Sequence, residues 1–190
     1  MKIGIDLDGV LAELLSAIIE YHNVTYKTEL AQKQFKSHGF WKTWGGTRDE
    51  AIQKLRDFYQ TNYFKNIKPV SGAIKALSNL KQNNDLFVIT ARPNEIIKDT
   101  KKWLNQYYPN FFSGTYFANH CPQSGSEIPK SQICDELEIE VMIEDSIENA
   151  LDCAGLKRRV LLFDRPWNQQ AELPSGISRV LSWKEILKTI

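Results

Sequence analysis

Two aspartates one residue apart, Asp6 and Asp8, interrupt an apolar N-terminal run and are followed by a glycine, in "MKIGIDLDGVLAELL". Carboxylates repel one another and are costly to take out of water, so this pairing needs a compensating charge. Three further polar motifs stand beside apolar stretches. Thr90 closes "LFVIT", Glu144 and Asp145 close "VMIED", and Lys130 opens a helical segment after a third strand. Carboxylates of this kind suit Mg²⁺, which prefers an octahedron of carboxylate, water and phosphate oxygens. Together the motifs describe phosphoryl transfer. One aspartate attacks phosphorus to give an aspartyl-phosphate, and a second carboxyl gives a proton to the leaving oxygen and later takes one from water. Gly9 lets the chain turn and bring backbone N–H groups near a phosphate. A threonine hydroxyl and a lysine ammonium clamp the transferring oxygens.

The elements that must position these groups are legible from periodicity. Lys2 to Asp6 is a short buried strand, and from Leu11 the spacing turns helical through Leu14, Leu15, Ile18, Ile19 and His22. Thr47 and Glu50 form a capping box ahead of a helix carrying Ile52, Leu55, Phe58, Tyr59 and Asn62. Ile74, Leu77 and Leu80 mark another helix. From residue 86 strands and helices alternate: "LFVIT", a helix with Ile96, Ile97, Trp103, Leu104 and Tyr107, the short strand "GTYFAN", the loop "CPQSGSEIP", a helix from Lys130 to Leu137, "EVMIED", a helix capped by Ser146 and stopped at Gly155, and "RRVLLFD" as the last strand. Ser182 and Glu185 make a second capping box. Such alternation predicts an α/β fold with a mainly parallel, Rossmann-like sheet. The helical stretch from about residue 14 to about residue 70 interrupts it, as a cap inserted after the first strand, leaving 1–13 and 71–190 as the core. In a parallel sheet all strand C-termini share one edge, so the four motifs converge on one crevice although they are far apart in sequence.

In "DLDGV", "VITAR", Lys130 and "VMIEDS" the sequence resembles, in order, the four motifs of the haloacid dehalogenase (HAD) superfamily of phosphatases. "NYFKNIKPVSGAIKAL", "VITARP" and "FDRPWN" are similar to segments of its 5'-nucleotidase and 5'(3')-deoxyribonucleotidase branch. The resemblance implies strand order 5-4-1-2-3 and a Mg²⁺-dependent phosphomonoesterase acting on nucleoside monophosphates. It makes Asp6 the nucleophile and Asp8 the acid/base, with the Asp8 backbone carbonyl on the metal. Thr90, Ala91, Gly9 and Lys130 lie at the phosphate, and Asp6, Asp8, Glu144 and Asp145 at the metal. Glu144 departs from the aspartate usual at the fourth motif, and which of Glu144 and Asp145 is the direct ligand stays open. Leu14 stands where better-known members carry an aromatic, and Ala91 and Arg92 follow the threonine where they carry serine. These departures bear on base preference more than on chemistry.

Each motif also has a plain structural use. Asp6 and Asp8 could simply end a strand, Thr90 could be an ordinary strand residue, and Lys130 a solvated lysine; their weight comes from the constellation. Phe40, Trp41 and Trp44 either stack over the crevice or glue the cap to itself. Arg92 either grips a second anionic group of the substrate or pairs with a surface acid. His22 and His38 read as structural or solvated. Rival functions are a phosphatase for a sugar phosphate or another small phosphoester, a phosphomutase, and a phosphoester-binding module without turnover.

Composition excludes rather than assigns. The chain of 190 residues has net charge +1, 42% hydrophobic and 25% charged residues, which gives no electrostatic case for nucleic acid or an anionic membrane. Three cysteines without metal spacing and an N-terminus without a signal layout lead to the expectation of a cytoplasmic protein with reduced thiols. The expected partner is a small phosphate monoester. Oligomeric state is open, a homodimer being one option.

Overall fold

A computed structural model describes residues 1–37, 39–118, 128–155, 158–169 and 172–190. In chain order the elements are β1 (Lys2–Ile5), α1 (Leu14–Tyr26), α2 (Trp41–Trp44), α3 (Arg48–Tyr59), α4 (Asn62–Lys65), α5 (Ala73–Leu80), β2 (Asp85–Thr90), α6 (Ile97–Tyr107), β3 (Gly114–Phe117), α7 (Lys130–Glu136), β4 (Val141–Glu144), α8 (Ile147–Cys153), β5 (Arg159–Phe163), β6 (Ile177–Val180) and α9 (Trp183–Thr189). The strands form one parallel sheet in the order β3-β2-β1-β4-β5-β6. The order expected from the resemblance is therefore present, with a sixth strand added beyond β5.

Side-chain alternation sorts the sheet into two faces. Ile3, Ile5, Val88, Val141, Ile143 and Leu161 join one core with α5, α6, α9 and the helical insert. Ile89, Met142, Val160 and Leu162 join the other with α7 and α8. Strands covered on both sides read as continuous apolar runs, which is why "LFVIT" and "VMIE" were visible in the sequence. Gly4 faces the second core, where a Cβ would stand 2.8 Å from Met142 Sδ, so β1 can pack that closely only without a side chain there.

The insert is entered and left through adjacent linkers. Glu13 N donates to the Lys68 carbonyl at 2.9 Å, Val70 N donates to the Leu11 carbonyl at 2.8 Å, and Ala12 bridges Pro69 in antiparallel sense. Its buried residues Ile18, Tyr21, Phe58 and Phe64 share the first sheet core rather than forming a separate one.

Several sequence expectations shift. The first helix begins at Leu14, not Leu11, because Leu11 and Ala12 donate their amides to the Leu7 carbonyl and close a loop. The helix opened by the Thr47–Glu50 capping box ends at Tyr59, and Asn62 starts a separate turn capped by Thr61. Ile52 and Ile74 face outward while Ala51, Ala73 and Ala76 are buried in their place. The helix after Ser146 stops at Cys153, short of Gly155. Glu185 reaches back to Leu181 N, one residue before the cap residue Ser182. β6 has no readable period because "ISRV" buries only Ile177 and Val180, three residues apart, the first in the second core and the other in the first. Of the expected loop 121–129, residues 121–127 lie outside the described residues, as do Cys121 and His38, while Ile128 and Pro129 are in irregular backbone.

Candidate active site

β1, β2 and β4 deliver Asp6, Thr90, Glu144 and Asp145 to the same edge of the sheet, and all four are buried. Asp6 N extends the β1–β4 ladder by donating to the Ile143 carbonyl at 2.9 Å, which fixes the nucleophile candidate against the fourth motif. Carboxylate oxygens of Asp6, Glu144 and Asp145 lie within 4.8 Å of one another.

Lys130, at the first position of α7, reaches into this cluster. Its Nζ donates to Asp6 Oδ1 at 2.6 Å and Glu144 Oε2 at 2.7 Å. Burial alone would lower its pKa, but Asp6 and Glu144 outweigh burial and raise it, so the ammonium is charged. Glu144 is saturated with donors: Oε1 also accepts from Asp145 N at 3.2 Å and Ser146 N at 3.1 Å. Asp145 Oδ2 accepts from Trp167 Nε1 at 3.1 Å. Three carboxylates face one ammonium, which leaves two negative charges uncompensated. The strain shows in the acids. Burial, then Glu144, pushes Asp6 up to about 7. Burial, then Asp6 and Glu144, holds Asp145 well above the usual carboxylate range. Buried oxygens with a deficit of two charges are the donor set of a hard divalent cation.

Asp8 lines the same crevice but is held from another side. Arg92 Nε and Nη2 donate to its two carboxylate oxygens at 2.8 and 2.6 Å. Of the two uses considered for Arg92, pairing with an acid is what the structure shows, yet the acid is in the crevice and not on the surface. Thr90 Oγ1 accepts from Arg92 N at 3.3 Å, and Ala91 lines the crevice beside it. Gly9 turns the chain at φ +81, and a Cβ there would collide with Asp145 Oδ2. Its own amide donates to the Ala12 carbonyl at 2.8 Å, so the structure shows Gly9 as a turn residue.

The crevice is a cavity of about 380 Å³ lined by Asp6, Asp8, Thr90, Lys130, Glu144 and Asp145. A narrow apolar pocket of about 50 Å³ adjoins it, walled by Leu14, Leu15, Phe35, Phe40 and Trp167. Asp8, Asp145, Leu14 and Phe40 line both cavities. Of the three cap aromatics, Phe40 is the one found at the crevice. Trp44 stacks on His22 with ring centroids 4.9 Å apart and lines a separate surface cavity with Lys54. Trp41 is half-buried at the start of α2.

Sequence reading gave no site role to the loop after β5. Arg165 Nε donates to the Gly9 carbonyl at 2.8 Å, Asn168 Nδ2 donates to the Asp145 carbonyl at 2.7 Å, and Trp167 holds the Asp145 side chain. The available signal was position: "DRPWN" follows an apolar strand, so it must emerge at the same sheet edge.

A parallel sheet with acids at its strand ends and an insert after β1 defines an α/β hydrolase of the haloacid dehalogenase class, and solved structures agree on the fold. A haloacid dehalogenase-like hydrolase from Streptococcus pneumoniae superposes with TM-score 0.71 at 17% identity, covering 99% of this chain and 97% of that one. The HAD-hydrolase YfnB from Bacillus subtilis, solved bound to magnesium, gives TM-score 0.64 at 15% identity over 99% of this chain and 97% of that one. In sequence, a 5'(3')-deoxyribonucleotidase of Bacillus subtilis is 27% identical over 186 residues, 97% of this chain and 95% of the relative. A nucleotidase of Clostridium acetobutylicum is 24% identical over 193 residues, covering 98% and 91%. The sequence model of the family "5' nucleotidase, deoxy (Pyrimidine), cytosolic type C protein" matches residues 1–190, and the chain belongs to that family of phosphoric monoester hydrolases.

Proposed function

We propose that the protein is a Mg²⁺-dependent nucleotidase that hydrolyses nucleoside monophosphates through an aspartyl-phosphate on Asp6. The observation that carries this reading is the buried cluster of Asp6, Glu144 and Asp145 with Lys130, two charges short of neutrality. Asp6, Asp145 and the Asp8 backbone carbonyl would hold the ion. Glu144, already occupied by Lys130 and two backbone amides, positions the lysine instead. When bound, magnesium offsets the surplus negative charge and draws electron density from the phosphate oxygens.

An Asp6 carboxylate oxygen forms a bond to phosphorus as the ester P–O bond breaks. The departing electron pair stays on the alcohol oxygen, which receives a proton from Asp8. Water then attacks phosphorus, Asp8 takes a proton from it, the bond to Asp6 breaks, and phosphate leaves with the Asp6 carboxylate restored. Thr90 and Lys130 hold the phosphate oxygens through both halves. Asp8 suits proton transfer to a bridging oxygen because it lies on the boundary between the polar crevice and the apolar pocket. The leaving nucleoside would occupy the apolar side against Phe40 and Leu14. A pocket of about 50 Å³ is narrower than a base, so Phe35 and Phe40 must move apart to receive it. Residues 14–70 serve as the cap, entered and left through the adjacent linkers at Ala12 and Pro69, and exclude water from the acyl phosphate. The names of the relatives favour nucleotides, deoxyribonucleotides foremost, and a cytosolic setting fits the family description.

The experiment is a panel of ribo- and deoxyribonucleoside monophosphates and sugar phosphates, assayed with Mg²⁺ and with chelator, for the native chain and Asp6→Asn. Hydrolysis of nucleotides that requires Mg²⁺ and disappears in Asp6→Asn supports the reading. Near-native turnover in that variant, or a preference for sugar phosphates, overturns it.

A further inference from the structure

We propose that Arg92 is a positioning residue: its guanidinium fork sets the plane and direction of the Asp8 carboxyl for proton transfer. The inference rests on the reading of Asp8 as the acid/base group.

Arg92 is held by more than Asp8. Its side chain is 3% exposed, and leaving an arginine buried without partners is strongly unfavourable. Nε and Nη2 lie side-on to Asp8 at 2.8 and 2.6 Å, while Nη1 donates to Thr100 Oγ1 of α6 at 3.2 Å. The guanidinium carbon stands 5.2 Å from the ring centroid of Phe64 in α4. At the backbone, Arg92 N is tied to Thr90 Oγ1. Two elements on the same face of the sheet therefore locate the fork: α6 and, from the insert, α4. Asp8 sits on a loop with its side chain 24% exposed, so the less constrained partner is the acid. The arginine is preplaced and the carboxyl follows it.

This arrangement argues against a substrate-gripping role. Turning the fork toward a ligand would break both bonds to Asp8 and the bond to Thr100. It also explains why an arginine stands two residues after the phosphate-binding threonine. Two parallel N–H donors on two oxygens fix a carboxyl plane, which a lysine ammonium cannot do. The placement matters because Asp8 must meet the bridging oxygen between the crevice and the apolar pocket, and about 1 Å of misplacement can cost on the order of 10²-fold in rate.

The test compares Arg92→Ala and Arg92→Lys with Asp8→Asn and the double variant Asp8→Asn/Arg92→Ala in the full chain with Mg²⁺. Substrates are thymidine 5'-monophosphate and p-nitrophenyl phosphate, whose leaving group departs without a proton. Expected for both Arg92 variants is a fall in kcat on the nucleotide of about 10²-fold with KM within about threefold. On the aryl ester they should release a burst of p-nitrophenol equal to the enzyme, then turn over slowly while the aspartyl-phosphate waits for its base. In the Asp8→Asn background, removing Arg92 should cost less than about threefold, since the two act as a unit. Arg92→Lys carries the same test if Arg92→Ala does not fold. A raised KM with native kcat, equal losses on both substrates without a burst, or losses that multiply in the double variant would each overturn the proposal. If Asp8→Asn alone is impaired and the Arg92 variants are not, the inference fails while the reading of Asp8 stands. If Asp8→Asn is near native, the reading of Asp8 fails first.

Discussion

Trp167 Nε1 donates to Asp145 Oδ2 across 3.1 Å, tying the loop after β5 to the end of β4. Trp167 also closes over Gly9, where a Cβ would stand 3.3 Å from its ring carbon Cζ2. Three separate segments thus meet at one carboxylate. Groups that hydrogen-bond a metal ligand orient it, and losing them typically costs about 10- to 100-fold in metal affinity. Trp167→Phe keeps the ring but deletes the donor. We expect the Mg²⁺ concentration for half-maximal activity to rise about tenfold, with kcat at saturating Mg²⁺ little changed. An unchanged Mg²⁺ titration would show that the bond does not orient Asp145.

Glu144 and Asp145 are adjacent in sequence yet differ in surroundings, so their removal should have opposite effects. Glu144 pairs with Lys130 inside the protein, with no side-chain exposure. Deleting it by Glu144→Ala leaves the ammonium with Asp6 alone and strips the Asp145 and Ser146 amides of their acceptor, and should lower unfolding free energy by about 1–3 kcal/mol, read from urea denaturation. Asp145 is instead pushed toward its protonated form by burial and by Asp6 and Glu144. Asp145→Asn relieves that repulsion. It should raise the melting temperature of the ion-free protein and abolish the further rise caused by Mg²⁺. A variant that still responds to Mg²⁺ would move the ligand role to Glu144.

That contrast marks the limit of the sequence. Asp6, Thr90, Lys130 and Glu144 with Asp145 were legible because each borders an apolar strand or helix whose period is plain, and a parallel sheet brings strand ends to one edge. Which acid pairs with the lysine was not, since it depends on where Lys130 Nζ lands from the first position of a helix that packs on the second core. Arg92 was ambiguous for a similar reason: one arginine in "TARP" has no period, and its partner Asp8 lies 84 residues away. The cap aromatics were the least legible. Phe40 and Trp44 are four residues apart, yet one lines the crevice and the other stacks on His22, a division set by the packing of α2 against α1 and not by residue type.

Ion removal should change how stability depends on pH. In the ion-free protein Asp6 is raised from 3.8 to about 7, first by burial and then by Glu144. A carboxyl raised in the fold contributes stability that is full at pH below 3.8 and lost as pH climbs through about 7. Asp145 shifts in the same direction. With chelator present the melting temperature should therefore fall between pH 6 and pH 8 by more in the native chain than in Asp6→Asn. Binding of Mg²⁺ must expel these protons, so the rise in melting temperature on adding Mg²⁺ should be larger at pH 8 than at pH 6. Equal rises at both values would contradict the charge deficit.

The helical insert carries a pH response of opposite sign. His22 is buried in α1, with Nδ1 2.9 Å from Thr28 Oγ1, and Thr28 donates its own hydroxyl proton to Asn23 Oδ1 at 2.8 Å. The network therefore assigns the proton of the neutral ring to Nδ1 and leaves Nε2 as a lone pair facing Lys54 Nζ at 3.5 Å. Trp44 stacks on one side of the ring, and Tyr26 stands 4.6 Å away. Protonating Nε2 would set two cations against each other in a site short of water, and burial followed by Lys54 accordingly lowers the His22 pKa below 6.5. A histidine lowered in the fold contributes stability that is present above 6.5 and lost as pH falls through the folded value. With Mg²⁺ saturating, the native chain should lose melting temperature from pH 7.5 to pH 5 more steeply than His22→Gln, and Lys54→Met should soften the slope without removing it, because burial remains. Parallel slopes for the native chain and His22→Gln would show that His22 does not resist protonation in the fold.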